Sequence, residues 1–158
     1  MKLAISYFYQ IRNFKPNMIP VSTARWDPKW YHDGKGAEYN FIDKNGVVNG
    51  LRCEELHGDE SCEGLCGGAE MCATGDPQNC AFLKAYRAML DKLDLSALLE
   101  RCEIASKNIQ EQLGFVEEPI IVFIVHEAPS NKCSERAALL SYFADNNIDC
   151  KELEYPIK

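Results

Sequence analysis

Pro119-Ile120-Ile121-Val122-Phe123-Ile124-Val125-His126-Glu127 is the stretch on which the reading of this chain turns. Six apolar residues, all β-branched except Phe123, run without a polar break and then stop at His126-Glu127. An unbroken run of this kind predicts a strand buried on both faces, and such strands belong to parallel sheets covered by helices. Downstream, Pro129, Ser130 and Asn131 predict a turn, residues 133–146 a helix anchored by Leu139, Leu140 and Phe143, and residues 148–153 a last short strand. Upstream, Leu95, Leu98, Leu99, Cys102, Ala105, Ile109 and Leu113 recur at helical spacing from Asp94 to a closing Gly114. Before them, Phe82, Leu83, Tyr86, Met89, Leu90 and Leu93 form another stripe, with Asp76-Pro77 as its expected start. Strand, helix, strand in this order predicts an α/β fold: a mainly parallel sheet flanked by helices.

The first half adds two strands, residues 3–9 and 18–23, and Pro20 places the second at an edge or a strand start. Residues 24–36 read as a loop. Residues 39–43 and 47–51 flank Asn45-Gly46 and read as a hairpin. Residues 54–79 show neither a helical nor a strand period. The expected organisation is one α/β domain over residues 1–158, with residues 53–80 as a cysteine-rich insertion loop.

The chain has 158 residues, enough to bury a sizeable core without covalent staples. A net charge of −7 disfavours a broad nucleic-acid surface but allows a local basic pocket. No segment reads as a leader or a membrane span, so no membrane partner is expected and the expected location is cytoplasmic, where thiols stay reduced. Oligomeric state is not encoded in any pattern seen.

Eight cysteines then need a chemical account. Cys62, Cys66, Cys72 and Cys80 are separated by three, five and seven residues, with Cys53 and His57 just upstream. Thiolates are soft ligands suited to zinc or an iron–sulfur cluster, and binding one would order an acidic, core-poor loop. Free thiols and disulfides are the other two readings of the same residues. Cys102 and Cys150 lie in an apolar stripe and a short strand, and read as core.

In open parallel sheets, ligands bind beyond the carboxyl ends of the strands. Arg12 follows the first strand, Arg25 the second, and Arg52 the hairpin; His126 and Glu127 follow the buried strand; Cys133 and Arg136 open the next helix. Arginines at one rim suit a phosphate or carboxylate. A helix start lowers the pKa of a nearby thiol, which makes Cys133 a candidate nucleophile, with Glu127, His126 and Arg136 as acid–base or anchoring groups. Each also has a structural reading: Glu127 as a cap or a partner of Arg136, Cys133 as an inert thiol, His126 and Arg12 as solvated side chains. One chemistry is excluded, a cysteine phosphatase, and two are disfavoured, nucleotide cofactors held in glycine-rich loops and thioredoxin-like exchange. Six positions after Cys133 stands Leu139, where a cysteine phosphatase loop requires arginine, and no glycine-rich nucleotide loop or Cys-x-x-Cys pair is present.

The buried strand ending in Glu127, the short turn, and the cysteine and arginine that open the helix resemble the domain of unknown function 488 family. Arg25 after an early strand, Arg52 closing Asn49-Gly50-Leu51, and the helical segments at 80–90 and 93–100 fit the same resemblance. It spans nearly the whole chain and is most specific in the last third. It implies an α/β fold more than a reaction. Many members carry a cysteine where this chain has Val125, and Cys-His-Arg where it has Cys133-Ser134-Glu135-Arg136, so no mechanism that needs those residues carries over.

Two functional expectations follow. One is an enzyme acting on a small anionic ligand, containing phosphate or a nucleotide, at the strand ends. The other is a metal-stapled binding or adaptor protein, with Trp26, Trp30 and Tyr31 as aromatic anchors unless they pack into the core. Arginines converging on one pocket favour the first; scattered arginines beside exposed aromatic rings favour the second.

Overall fold

A computed structural model describes residues 1–32, 41–58, 80–130 and 134–156. Its main sheet has four strands, β1 (Lys2–Tyr7), β2 (Met18–Ser22), β5 (Ile120–Val125) and β6 (Cys150–Glu152), in the order β2-β5-β1-β6. All its pairings are parallel: Lys2 to Tyr7 run beside Ile120 to Val125, Met18 to Ser22 beside Ile120 to Ile124, and Leu3 to Ile5 beside Cys150 to Glu152. The apolar run β5 therefore lies inside the sheet, as its composition predicts.

β5 feeds both layers of the core through the two-residue alternation of a strand. Ile121, Phe123 and Val125 join Ile5, Ile19 and Val21 under the helices, while Val122 and Ile124 face Phe8, Ile11, Phe14 and Tyr31 on the opposite side. Three α-helices are present among the described residues: α1 (Ala81–Leu90), α2 (Leu95–Leu113) and α3 (Glu135–Asp145). All three contribute to the first layer, through Leu83, Tyr86 and Leu90, Leu98, and Leu139 and Phe143. The second layer is covered differently. It is closed by 3-10 turns at Phe8–Asn13 and Lys29–His32 and by the edge of a small antiparallel hairpin, β3 (Phe41–Ile42) and β4 (Val48–Asn49).

Local signals set the boundaries. Asp94 caps α2 by accepting from the Ala97 N–H at 3.1 Å, and Gly114 ends it at φ +74°, a left-handed angle cheap only for glycine. Gly46 closes the hairpin turn at φ +79°. Pro20 does sit on an edge strand, and its carbonyl accepts from the Tyr31 hydroxyl at 3.0 Å. Just past it the edge is covered: Ser22 N donates to Leu51 O and Cys53 N to Ser22 O, each at 2.9 Å. The first strand is shorter than expected, because at Phe8 the chain coils into a 3-10 turn that packs Phe8 and Ile11 under the sheet. The expected start of α1 at Asp76-Pro77 and the insertion at 59–79 lie outside the described residues.

Candidate functional site: paired carboxyl groups at the strand ends

β2 and β5 end side by side, with Ser22 opposite Ile124, and both exits are polar. Thr23 is buried, and its N–H and its hydroxyl each donate to Ile124 O at 3.0 Å. Ser22 Oγ donates to Asp27 Oδ1 at 2.5 Å and accepts from Ala24 N at 3.2 Å. The Asp27 side chain is almost fully enclosed; its Oδ2 takes Arg52 Nη1 at 2.8 Å and meets His32 Nε2 at 2.9 Å. Arg52 Nη2 also donates to Ala24 O at 3.0 Å. The loop after β2 is thus folded around one carboxylate whose two oxygens are both used.

The β5 exit is built around Arg136, which is buried at the first turn of α3. Its Nε donates to Glu152 Oε1 at 2.8 Å, Nη1 to Ala128 O at 2.9 Å and Nη2 to Glu127 O at 2.5 Å. One guanidinium therefore ties the turn after β5 to α3 and to β6. Ser134 caps α3, accepting from Arg136 N at 3.3 Å, and its hydroxyl donates to Glu127 Oε2 at 3.1 Å.

Between these two exits stands Glu135. Burial pushes its carboxyl up to about 8, and the charge of Glu127 adds to the rise. A hydrogen bond with Thr23 works in the other direction and is the smallest of the three effects. Thr23 has a single hydroxyl hydrogen, and it is already directed at Ile124 O. Glu135 Oε2 is buried and has no hydrogen-bond partner among the described residues. Two carboxyl groups with unlike surroundings, one buried and protonated near neutral pH and one tied to a hydroxyl, can divide proton donation and proton acceptance between them.

The residues expected from sequence fall into separate groups. Glu127, Arg136, Arg52 and His126 all lie at the strand ends, and Arg25 is exposed on the loop between Thr23 and Asp27. His126 Nε2 meets the carbonyl of Trp26, and its ring lies 5.0 Å from that of Phe8. Arg12 stands apart, with its guanidinium 3.8 Å from the centre of the Tyr9 ring. Arg52 and Arg136 already hold Asp27 and Glu152, and the buried side-chain atoms without a partner among the described residues are one carboxyl oxygen each of Glu135 and Glu152 and one ring nitrogen each of His32 and His57, none of them on an arginine. Cys133 lies outside the described residues, as do Cys62, Cys66 and Cys72; Cys80 is a half-buried free thiol at the start of α1. Among the described residues no three His, Cys, Asp or Glu side chains are grouped to hold a metal ion. Nor is any helix there long and apolar enough to cross a membrane. Cys102 is half-buried and Cys150 buried, and desolvation raises their thiols to about 11 and about 12.

Sequence reasoning passes over Thr23, Asp27 and Glu135. Glu135 follows a serine cap, where an acid normally complements the helix dipole in solvent, so only the fold reveals its burial. The expected core role of the aromatic segment holds for Tyr31 alone: Trp26 is 79% exposed and Trp30 46%. Comparison with protein-family models, with curated proteins and with solved structures found no match to this chain.

Proposed function

We propose that this protein is an enzyme acting on a small anionic ligand, containing phosphate or a nucleotide, at the carboxyl ends of β2 and β5. Glu135 gives and retakes a proton, Glu127 is its partner base, and Arg25 at the rim meets the ligand's anionic group. Cys133, next in sequence to the cap Ser134, keeps the nucleophile's part. Arg136 and Arg52 position these groups rather than react: one fixes the turn that carries Glu127, the other the loop that carries Arg25. Glu127 and Arg136 also carry the resemblance to the domain of unknown function 488 family, and the proposal includes that kinship. A zinc ion or iron–sulfur cluster held by Cys62, Cys66, Cys72 and Cys80 would order the insertion.

The observation that carries this reading is the buried Glu135 carboxyl, raised to about 8 beside Glu127, with one oxygen unpartnered. Groups perturbed by burial and a neighbouring charge cluster at functional sites. The test is a thermal-shift panel of phosphate- and nucleotide-containing metabolites against wild type, Arg25→Ala, Cys133→Ser and Glu135→Gln. A hit should weaken in Arg25→Ala, and its turnover should fall by about 100-fold or more in Glu135→Gln, the scale of general acid–base catalysis. A panel with no shift, or a hit indifferent to both substitutions, overturns the proposal.

The exposed Trp26 and Trp30 favour the second reading, an adaptor whose aromatic surface docks a partner. That reading predicts a bound protein lost in a Trp26→Ala, Trp30→Ala double variant and kept in Glu135→Gln.

A further inference from the structure

A concavity of about 690 Å³ opens between the 3-10 turn Phe8–Asn13, Trp30 and the β3–β4 hairpin. The volume is that of a small-molecule site. Phe8, Tyr9, Trp30 and Phe41 line it with rings, and Arg12 and Lys44 add positive charge. Its walls are fixed to one another: Asn45 Nδ2, from the hairpin turn, donates to Arg12 O at 3.0 Å.

Among the described residues that line this cleft, two cations, Arg12 and Lys44, face one acid, Asp43. Arg12 gives its Nε to Tyr9 O at 2.9 Å and lays its guanidinium over the Tyr9 ring. Neither Arg12 nor Lys44 has a carboxylate partner among the described residues. The acid that lines the cleft, Asp43, is turned to the hairpin's own donors. Its Oδ1 accepts from Asn45 N at 2.8 Å and Val47 N at 3.1 Å, and its Oδ2 from Asn49 Nδ2 at 3.1 Å. In a chain of net charge −7, two cations without a carboxylate partner among the described residues make a local reversal of sign. Trp30 is half-exposed and stands edge-on to the buried Phe8 at 6.2 Å, which holds its ring in place. The geometry joins an aromatic wall, a guanidinium lying over one ring, and a rim whose cations have no carboxylate partner among the described residues.

We propose that this cleft binds a small molecule made of a flat ring bearing a phosphate or carboxylate, the ring against Trp30 and the anion on Arg12. Planar rings stack on indole and guanidinium faces, and the outer N–H groups of Arg12 suit a two-oxygen anion. The inference does not rest on the acid–base reading, which concerns different residues.

The test follows Trp30 fluorescence in a Trp26→Phe background, where Trp30 is the remaining tryptophan. The titrants are adenosine monophosphate, benzoate, adenosine and inorganic phosphate, each into the millimolar range. Saturable quenching by adenosine monophosphate, by benzoate or by both supports the proposal, and which of them binds identifies the anion as phosphate or carboxylate. Arg12→Ala should then weaken binding about tenfold, the scale of one lost charge-assisted hydrogen bond. Arg12 is exposed, so that variant should keep its far-ultraviolet circular dichroism spectrum. Two results overturn the proposal: no saturable binding of either ring-bearing anion, or adenosine binding as tightly as its monophosphate with Arg12→Ala unchanged.

Discussion

Glu135 links the folded state to pH with a sign that can be worked out. Its carboxyl rises from an ordinary 4.5 to about 8 in the fold, so between those values the folded chain holds a proton that the unfolded chain has released. Its contribution to stability is therefore complete below about 4.5 and is lost as pH rises through about 8. Glu152 is raised by burial too and pulls in the same direction. We expect the unfolding free energy of wild type minus that of Glu135→Gln to fall steadily across this window in denaturant titrations. Glu127→Gln should move the midpoint of the fall to lower pH, because it removes the neighbouring charge. Parallel curves for wild type and Glu135→Gln would show that Glu135 titrates normally. At this scale the sequence was partly legible. The strand-end position of Glu127 and Arg136 followed from β5 alone. Their partners did not, because Glu152 reaches Arg136 from another strand and Thr23 reaches Glu135 from the far end of the chain.

Among the elements, α3 is held to the sheet by a polar clamp as well as by Leu139 and Phe143. Arg136 spans Glu152, Ala128 O and Glu127 O, and its guanidinium lies 5.8 Å from the Tyr7 ring centre. Removing it leaves an acid and two carbonyls without their donor. We expect Arg136→Ala to destabilise the fold by about 3 kcal/mol or more, the scale of a broken buried pair. Arg136→Lys should recover only part of this, since one ammonium cannot reach three acceptors in a fixed plane. Chemical denaturation measures both, and a loss below about 1 kcal/mol would place Arg136 among ordinary surface ion pairs. The elements themselves were largely readable. β5, the Asp94 cap, the Gly114 stop and the Asn45-Gly46 turn each depend on signals a few residues long. What escaped was the switch from β1 to a 3-10 turn at Phe8. Aromatic residues favour strands as readily as they fill the space under one, and here packing against Tyr31 and Ile124 decides.

For the molecule as a whole, the cysteine insertion joins a hairpin edge to the first helix of an otherwise well-packed α/β layer structure. If Cys62, Cys66, Cys72 and Cys80 hold zinc or an iron–sulfur cluster, protein purified without air will carry the metal. Its melting temperature will drop on chelation, and a Cys62, Cys66, Cys72→Ser triple variant will lose the metal. Metal-free protein whose melting is unmoved by a chelator would end that proposal. The strand order has a consequence in time. β1 and β2 are made first but never touch as a pair; each waits for β5, which seats itself between them. On a ribosome adding about 5–20 residues per second, β1 waits roughly 5–20 s for its first paired strand, while β2 has only the single bridge from Ser22 to Arg52 in that time. Among the described residues, no full strand made in that interval pairs with β1 or β2. The chain must reach residue 125 before β1 and most of β2 have a strand to pair with, and until then those edges are open to whatever holds newborn chains apart.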